Sequence, residues 1–170
     1  MEFKELIRER KSIRKYTEEE IDLKTFEEII KGSQMAPSWK NSQTARYYLA
    51  YSDEARKAVY EALPEFNQNS SKNAYYIIAT FKKGISGDGT KEADYWGSYD
   101  LGLQNAYLVL MAKELGYDTL IMGLRDDEAL RKYFEIPNDE VILPVIALGK
   151  KDQDPSPRPR KELDEILKKL

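Results

Sequence analysis

The sequence predicts a single α+β domain over residues 1–170, with a mixed central β-sheet flanked by helices. Segments with apolar residues at helical spacing alternate along the chain with shorter runs of β-prone residues. One such run, residues 74–81, is almost continuously apolar or aromatic, which is typical of a strand buried on both faces. A length of 170 residues suits one domain and leaves little room for a second.

The first half of the chain is predicted to contain three helices and two strands. Asp22 is expected to cap the second helix. Pro37 ends this helix, because a proline disfavours the helical conformation of the residue before it. The expected helices span residues 2–9, 23–34 and 53–63, and the expected strands span residues 47–51 and 74–81.

The second half is organised around one long helix, expected at residues 95–115. Gly116 follows it as the residue that ends it in a left-handed conformation. Gly102 and Ala106 leave a shallow notch on this helix, where another backbone can approach closely. The other expected elements are a turn at residues 84–89, strands at residues 119–122 and 141–148, the latter kinked at Pro144, and a helix at residues 126–134.

Residues 151–170 are predicted to form a C-terminal arm rather than part of the core. Residues 154–160 hold three of the seven prolines of the chain. Such a segment cannot join the core as a helix or as a central strand. We therefore expect the arm to extend outward over a partner subunit.

The composition excludes several kinds of chemistry. The chain has no cysteine and no histidine, which rules out disulfides, thiolate catalysis, the Ser-His-Asp triad and metal sites built on either residue. A net charge of -3 gives no general attraction to nucleic acid or to an anionic membrane, and no run of about 20 apolar residues is present. The N-terminus is too charged for a signal peptide, so we expect a cytoplasmic protein. Because histidine and cysteine are absent, we also expect no metal site.

Residues 10–14 read Arg-Lys-Ser-Ile-Arg and place three cations and a hydroxyl within five positions. Guanidinium groups and a hydroxyl donor suit a phosphate. The alternative is a solvated basic end of the first helix, where cations complement the helix dipole. Arg158 and Arg160 lie among the prolines of the arm, so a phosphate held by both ends of the chain is one hypothesis.

Two further polar segments are candidates for a binding site. Residues 37–43 contain asparagine and glutamine, whose donors and acceptors match the edge of a pyrimidine-like ring, although a polar turn is the alternative. Asp100, Gln104 and Asn105 place polar groups inside the most apolar helix. Buried polar groups need partners, so these three indicate either a network between elements or a ligand.

Together these segments resemble the nitroreductase-like FMN-dependent oxidoreductase family. Residues 10–14 resemble its Arg-Arg-Ser-x-Arg signature, and residues 35–43 its Ala-Pro-Ser-x-x-Asn-x-Gln loop. Residues 100–105 are similar to its Asp-x-Gly/Ala-x-x-Gln-Asn helix. Residues 121–123 stand where the family has a short strand passing the flavin, and residues 157–161 resemble its closing Lys/Arg-x-Arg element.

The resemblance extends over residues 6–166 and implies a nitroreductase-like fold. It also implies a homodimer that binds two FMN molecules non-covalently at the subunit interface, with parts of both chains around each. No catalytic side chain is implied, since N5 of the flavin carries the chemistry. The implied cofactor-binding residues are Arg10, Lys11, Ser12, Arg14, Arg158 and Arg160 around the phosphate and flavin edge, Pro37, Ser38, Trp39 and Asn41 from the other subunit, and Asn67, Met122 and Gly123 near the pyrimidine edge and N5.

The activity implied is an oxidoreductase with a ping-pong mechanism. NADH or NADPH would reduce the bound FMN by hydride transfer, and the flavin would then reduce a flat, electron-poor acceptor such as a nitroaromatic or a quinone. One alternative is a flavin store or sensor of the same fold without turnover. Another, outside the family, is a regulatory domain that binds phosphoanions through its two arginine clusters.

This chain departs from some family members at two positions. Met122 replaces an acidic residue near N5, and Ser70 replaces a lysine near N1 of the flavin. The chain also lacks the long insertions that cover the active site in larger members. Residues 84–96 are a candidate cover, with Tyr95 and Trp96 available to stack on a flat substrate.

Overall fold

Seven α-helices and four β-strands make up the fold in the computed structural model, which describes residues 1–170. The helices are α1 (Phe3–Glu9), α2 (Leu23–Ser33), α3 (Asp53–Glu61), α4 (Glu65–Ser70), α5 (Ala93–Glu114), α6 (Asp127–Phe134) and α7 (Leu163–Ile166). The strands are β1 (Ala45–Ala50), β2 (Tyr75–Lys82), β3 (Asp118–Met122) and β4 (Glu140–Gly149). None of the helices combines the length and the apolar character needed to cross a membrane.

The sheet has the order β1-β2-β4-β3, and every neighbouring pair of strands is antiparallel. The predicted α+β class is confirmed, but the expectation of a mixed sheet is wrong for these four strands. The only parallel pairing is an isolated bridge between Ser12 and Thr119. Burial of β2 on both faces comes from helices that cover both sides of an antiparallel sheet, and it does not require parallel neighbours.

Two hydrophobic cores lie on opposite faces of the sheet. Successive side chains of a strand point to opposite faces, and accordingly Ile77 and Ile78 belong to different cores. Ile78 packs in the core that includes Val59 of α3 and Leu130 of α6. Ile77 packs in the core that includes Leu108 of α5. The sheet is therefore a middle layer between two layers of helices.

The expected irregularity of the last strand is present at Pro144. Ile78 pairs with Val145, whereas Thr80 pairs with Ile142, so three steps along β4 match two steps along β2. This β-bulge takes up Leu143 and Pro144. A proline cannot donate to a strand ladder, so a bulge lets it occupy a strand that has neighbours on both sides.

The helix boundaries follow the local signals in the sequence. A side-chain oxygen of Asp22 accepts a hydrogen bond of 2.8 Å from the backbone N–H of Thr25 and so caps α2. Gly116, just past α5, has a φ of 83°, as a helix-terminating glycine requires. Asp126 caps α6 through bonds of 3.0 Å from the backbone N–H groups of Glu128 and Ala129.

Candidate functional site

The two arginine clusters from opposite ends of the chain line the same cleft. Its volume is about 860 Å³, and its walls come from the end of α1, the segment that follows it and the arm. Arg10, Ser12 and Arg14 lie on one side of this arginine cleft, and Arg158 and Arg160 on the other. The structure thus brings together the residues that the sequence suggested for a phosphate.

Contacts near the start of the arm hold it against the N-terminal segment. Asp154 accepts ion pairs of 3.2 Å from Lys11 and 3.1 Å from Lys151. These two ammonium groups hold the pKa of the Asp154 carboxyl below its ordinary value. The backbone N–H of Asp152 also donates to the carbonyl of Lys15 at 2.9 Å. The ammonium group of Lys11 is therefore directed to the arm, which leaves its backbone as its contribution to a ligand.

The arginines of the cleft are not neutralised within the chain. Arg10, Arg14, Arg158 and Arg160 form no ion pair with any carboxylate, although Glu9 also borders the cleft. Four arginines that line one cleft without a carboxylate partner favour a multiply charged anion, because each N–H···O⁻ bond is charge-assisted. The donor set fits a phosphate monoester such as that of FMN.

The segment that carries Ser12 runs beside β3. The backbone N–H of Ile13 donates to the carbonyl of Thr119 at 3.0 Å, next to the Ser12–Thr119 bridge. A groove of about 400 Å³ continues from Arg10 along exposed Ile121 to Pro144 and to the Gly102 notch of α5. The space beside Gly102 is open, since an added Cβ would meet no atom within 4 Å. The groove offers an apolar surface next to the arginine cleft.

The turn after β3 presents backbone rather than side chains. The side chain of Met122 is buried in the core, and Gly123 faces open space. Asn67, which is buried, donates its amide N–H to the carbonyl of Leu124 at 3.1 Å. Arg125 donates to the carbonyls of Gly123 and Ile142, so the turn is held from two sides. Asn67 thus supports the turn, and its contact with a flavin stays a prediction.

The loop at residues 37–43 lies apart from the arginine cleft, and none of its residues lines that cleft. It contains a short 3-10 turn at Trp39–Asn41. Pro37, Ser38 and Trp39 instead border a second cavity of about 500 Å³, shared with Trp96, Tyr99, Asp100 and Leu103 of α5. Within one chain, the loop residues are therefore separate from the arginine cleft, and Asn67, Met122 and Gly123 line neither of these two cavities.

Two of the three buried polar residues of α5, Asp100 and Asn105, hydrogen-bond to other elements, which is one of the two possibilities left open by the sequence, whereas Gln104 forms no such side-chain bond. Asp100 accepts hydrogen bonds from the backbone of Trp39 and from the hydroxyl of Ser86. Asn105 accepts one of 3.2 Å from the hydroxyl of Tyr47, and burial raises the pKa of Tyr47 to about 12. Sequence reasoning missed Ser86, since a serine in a glycine-rich turn gives no signal of its distant partner.

Comparison with known structures identifies the fold. A structure from Exiguobacterium sibiricum, titled "putative nitroreductase in complex with FMN", superposes with a TM-score of 0.88 at 22% identity, covering 100% of this chain and 98% of that one. A nitroreductase family protein from Clostridium novyi superposes with a TM-score of 0.79 at 26% identity, covering 89% and 87% of the two chains. The architecture is thus that of the nitroreductase fold.

Sequence comparison identifies the family directly. The Nitroreductase family model matches residues 7–150, which is most of the chain. A protein from Archaeoglobus fulgidus named "Putative NADH dehydrogenase/NAD(P)H nitroreductase" is 28% identical over 148 residues, which cover 85% of this chain and 82% of that protein. The chain belongs to the nitroreductase family.

Proposed function

We propose that the chain is an FMN-dependent oxidoreductase that works as a homodimer, with NADH or NADPH as reductant and a flat, electron-poor acceptor such as a nitroaromatic or a quinone. The observation that carries the proposal is the meeting of two unpaired arginine clusters in one cleft of a nitroreductase-family chain. Two similar proteins, one in complex with FMN and one named as an NAD(P)H nitroreductase, support the same chemistry.

The residues of the cleft fit the phosphate end of FMN. Arg10 and Arg14 from the N-terminal segment and Arg158 and Arg160 from the arm would hold the phosphate, with Ser12 as a hydroxyl donor. The adjoining groove gives the flavin ring an apolar wall. When bound, FMN would supply the hydride chemistry, which explains how a chain without histidine or cysteine can be an oxidoreductase.

The protein's part near the reacting end would be to position and to exclude water. Gly123 has no side chain and faces open space, so a planar ring can approach the backbone there. Met122 directs its side chain into the core, which leaves backbone N–H groups as the donors in this turn. No titratable side chain of residues 121–123 competes for the proton at the flavin edge.

The second set of predicted contacts, Pro37, Ser38, Trp39 and Asn41, would act on the cofactor of a partner subunit. The separation of this loop from the arginine cleft of its own chain supports that assignment. The open notch at Gly102 gives a place where a second α5 could approach closely. In this proposal a complete site therefore needs two chains.

The decisive experiment is the visible absorption spectrum of the purified protein, recorded after incubation with FMN and removal of free cofactor. Flavin bands that bleach under anaerobic NADH or NADPH support the proposal. Bands that persist with both reductants contradict turnover and favour a flavin store or sensor. Absence of flavin bands, with tight binding of simple phosphorylated ligands instead, would favour a regulatory phosphoanion domain.

A further inference from the structure

The loop at residues 37–43 has a strained backbone. Lys40, Asn41 and Gln43 have φ values of 51°, 56° and 48°, all in the left-handed region. A non-glycine residue in this region costs on the order of 1–2 kcal/mol, somewhat less for asparagine. Such a conformation persists only where surrounding contacts hold it, so the contacts of this loop decide its shape.

We propose that Asp100 is a positioning residue that fixes this loop in the shape required for contact with the cofactor of the partner subunit. The inference rests on the proposed function, because the loop supplies Pro37, Ser38, Trp39 and Asn41 to that contact. Asp100 itself touches no cofactor in this scheme and acts through the loop.

Asp100 uses both of its carboxylate oxygens to hold two different segments. Oδ1 accepts a hydrogen bond of 3.0 Å from the backbone N–H of Trp39, and Oδ2 accepts one of 2.8 Å from the hydroxyl of Ser86. The residue is 1% exposed and forms no ion pair. These two charge-assisted bonds therefore compensate its burial, and removing the carboxylate would release both segments together.

The segment that contains Ser86 braces the loop from its other side. The backbone N–H of Gly87 donates to the hydroxyl of Ser42 at 3.0 Å, and Lys40 pairs with Asp88 at 2.8 Å. The ring of Trp39 covers Gly87 so closely that an added Cβ would lie 2.3 Å from it. The glycine-rich turn at residues 84–89 is thus fixed to the loop, and the expectation that residues 84–96 cover the active site stays a prediction.

One carboxylate on a rigid helix consequently sets the position of the turn, and the turn supports the loop. The indole of Trp39 is held at the same point, with its ring centroid 5.4 Å from that of Trp96. A loss of Asp100 is expected to let the left-handed residues of the loop relax, while the sheet and both cores stay intact. Ligand binding would then have to order the loop, which makes the binding free energy less favourable.

The test compares Asp100→Ala, Asp100→Asn and a destabilised control, Leu130→Ala, in the full-length protein. Leu130 is buried in the core on the opposite face of the sheet, so its truncation lowers stability without touching the loop. Two quantities are measured well below the melting temperature of each variant. One is the dissociation constant for FMN, and the other is the hydrogen-exchange protection of the Trp39 and Gly87 amides in FMN-free protein.

Asp100→Ala is expected to raise the FMN dissociation constant about tenfold or more and to lose protection at both amides. Asp100→Asn keeps an acceptor for the Trp39 amide, so it should restore binding to within roughly threefold of wild type. Leu130→Ala should leave the dissociation constant unchanged. Equal affinity in Asp100→Ala and wild type, or equal losses in the alanine and asparagine variants, would overturn the proposal.

The same experiment separates this inference from the proposed function. If wild-type protein takes up no FMN, the proposed function fails, and with it the cofactor contact of the loop. Amide exchange then still decides whether Asp100 orders the loop. Unchanged protection of Trp39 in Asp100→Ala would overturn the positioning role while leaving FMN binding by the wild type untouched.

Discussion

Replacement of Arg160 by alanine tests whether the arginine cleft holds a phosphate. Arg160 lines the cleft together with Arg158, and no carboxylate of the chain pairs with either guanidinium. A direct bond to a phosphate would therefore be the main interaction of the side chain. Arg14, on the opposite wall, offers the equivalent test from the other end of the chain.

The expected loss follows from the strength of one charged hydrogen bond. Such bonds contribute about 1.5–3 kcal/mol, which corresponds to roughly a 10- to 150-fold change in dissociation constant. Arg160 is exposed, so solvent screens part of this interaction. We therefore expect Arg160→Ala to weaken FMN binding by about 10- to 30-fold, the lower part of that range.

Riboflavin provides the matched ligand for the assay, since it has the flavin ring and ribityl chain of FMN but no phosphate. Wild type, Arg14→Ala and Arg160→Ala are titrated with both ligands by flavin fluorescence. Each variant should lose affinity for FMN and keep its affinity for riboflavin. The control is Lys57→Ala, which removes an exposed cation of α3 that lies 3.8 Å from Glu61. Unchanged FMN affinity in both arginine variants, or equal losses for the two ligands, would refute the phosphate assignment.

Three further predictions concern assembly, packing and pH. Deletion of the chain after Lys151 is expected to lower the melting temperature and weaken the proposed dimer, as measured by sedimentation and thermal unfolding; a truncated chain that stays equally stable and dimeric would contradict a role for the arm in assembly. Gly87→Ala places a Cβ 2.3 Å from the ring of Trp39 at a residue with φ +62°, so the free energy of unfolding in denaturant should fall by about 2 kcal/mol. An unchanged unfolding midpoint would contradict the close packing. Burial raises the pKa of Tyr47 from 10.0 to about 12, so the stability linked to its protonated form is complete below pH 10 and is lost as pH rises toward 12. Tyr47→Phe should therefore flatten the pH dependence of the unfolding free energy in that window. An unaltered slope would show that Tyr47 does not titrate as a buried group.

Local features of the fold could be predicted from the sequence, because they depend on neighbouring residues. Asp22 and Gly116 mark helix ends through bonds and backbone angles within a few positions of themselves. Pro144 indicates a bulge because a proline lacks a donor wherever it sits. The direction of the strands could not be predicted this way, since an apolar run such as residues 74–81 has the same pattern in parallel and antiparallel sheets once both faces are covered.

The candidate site also contains some features that the sequence predicts and others that depend on the tertiary fold. The chemistry of Arg10 and Arg160 is visible in the sequence, and the structure adds their proximity across the cleft. The partners of Asp100 are not visible, because Trp39 and Ser86 lie in two separate loops whose approach depends on the tertiary fold. A polar residue inside an apolar helix indicates only that a partner exists.

The separation of the Trp39 loop from the arginine cleft links cofactor binding to assembly. If the arginine cleft of one chain and the Trp39 loop of another enclose the same FMN, the dimer binds the cofactor more tightly than a single chain does. Thermodynamic reciprocity then requires FMN to stabilise the dimer by the same free energy. The Lys11–Asp154 ion pair would contribute on both sides of this linkage, because it fixes the arm that carries the arginines and that is proposed to extend over the partner. Loss of FMN and loss of the partner should therefore occur together on dilution.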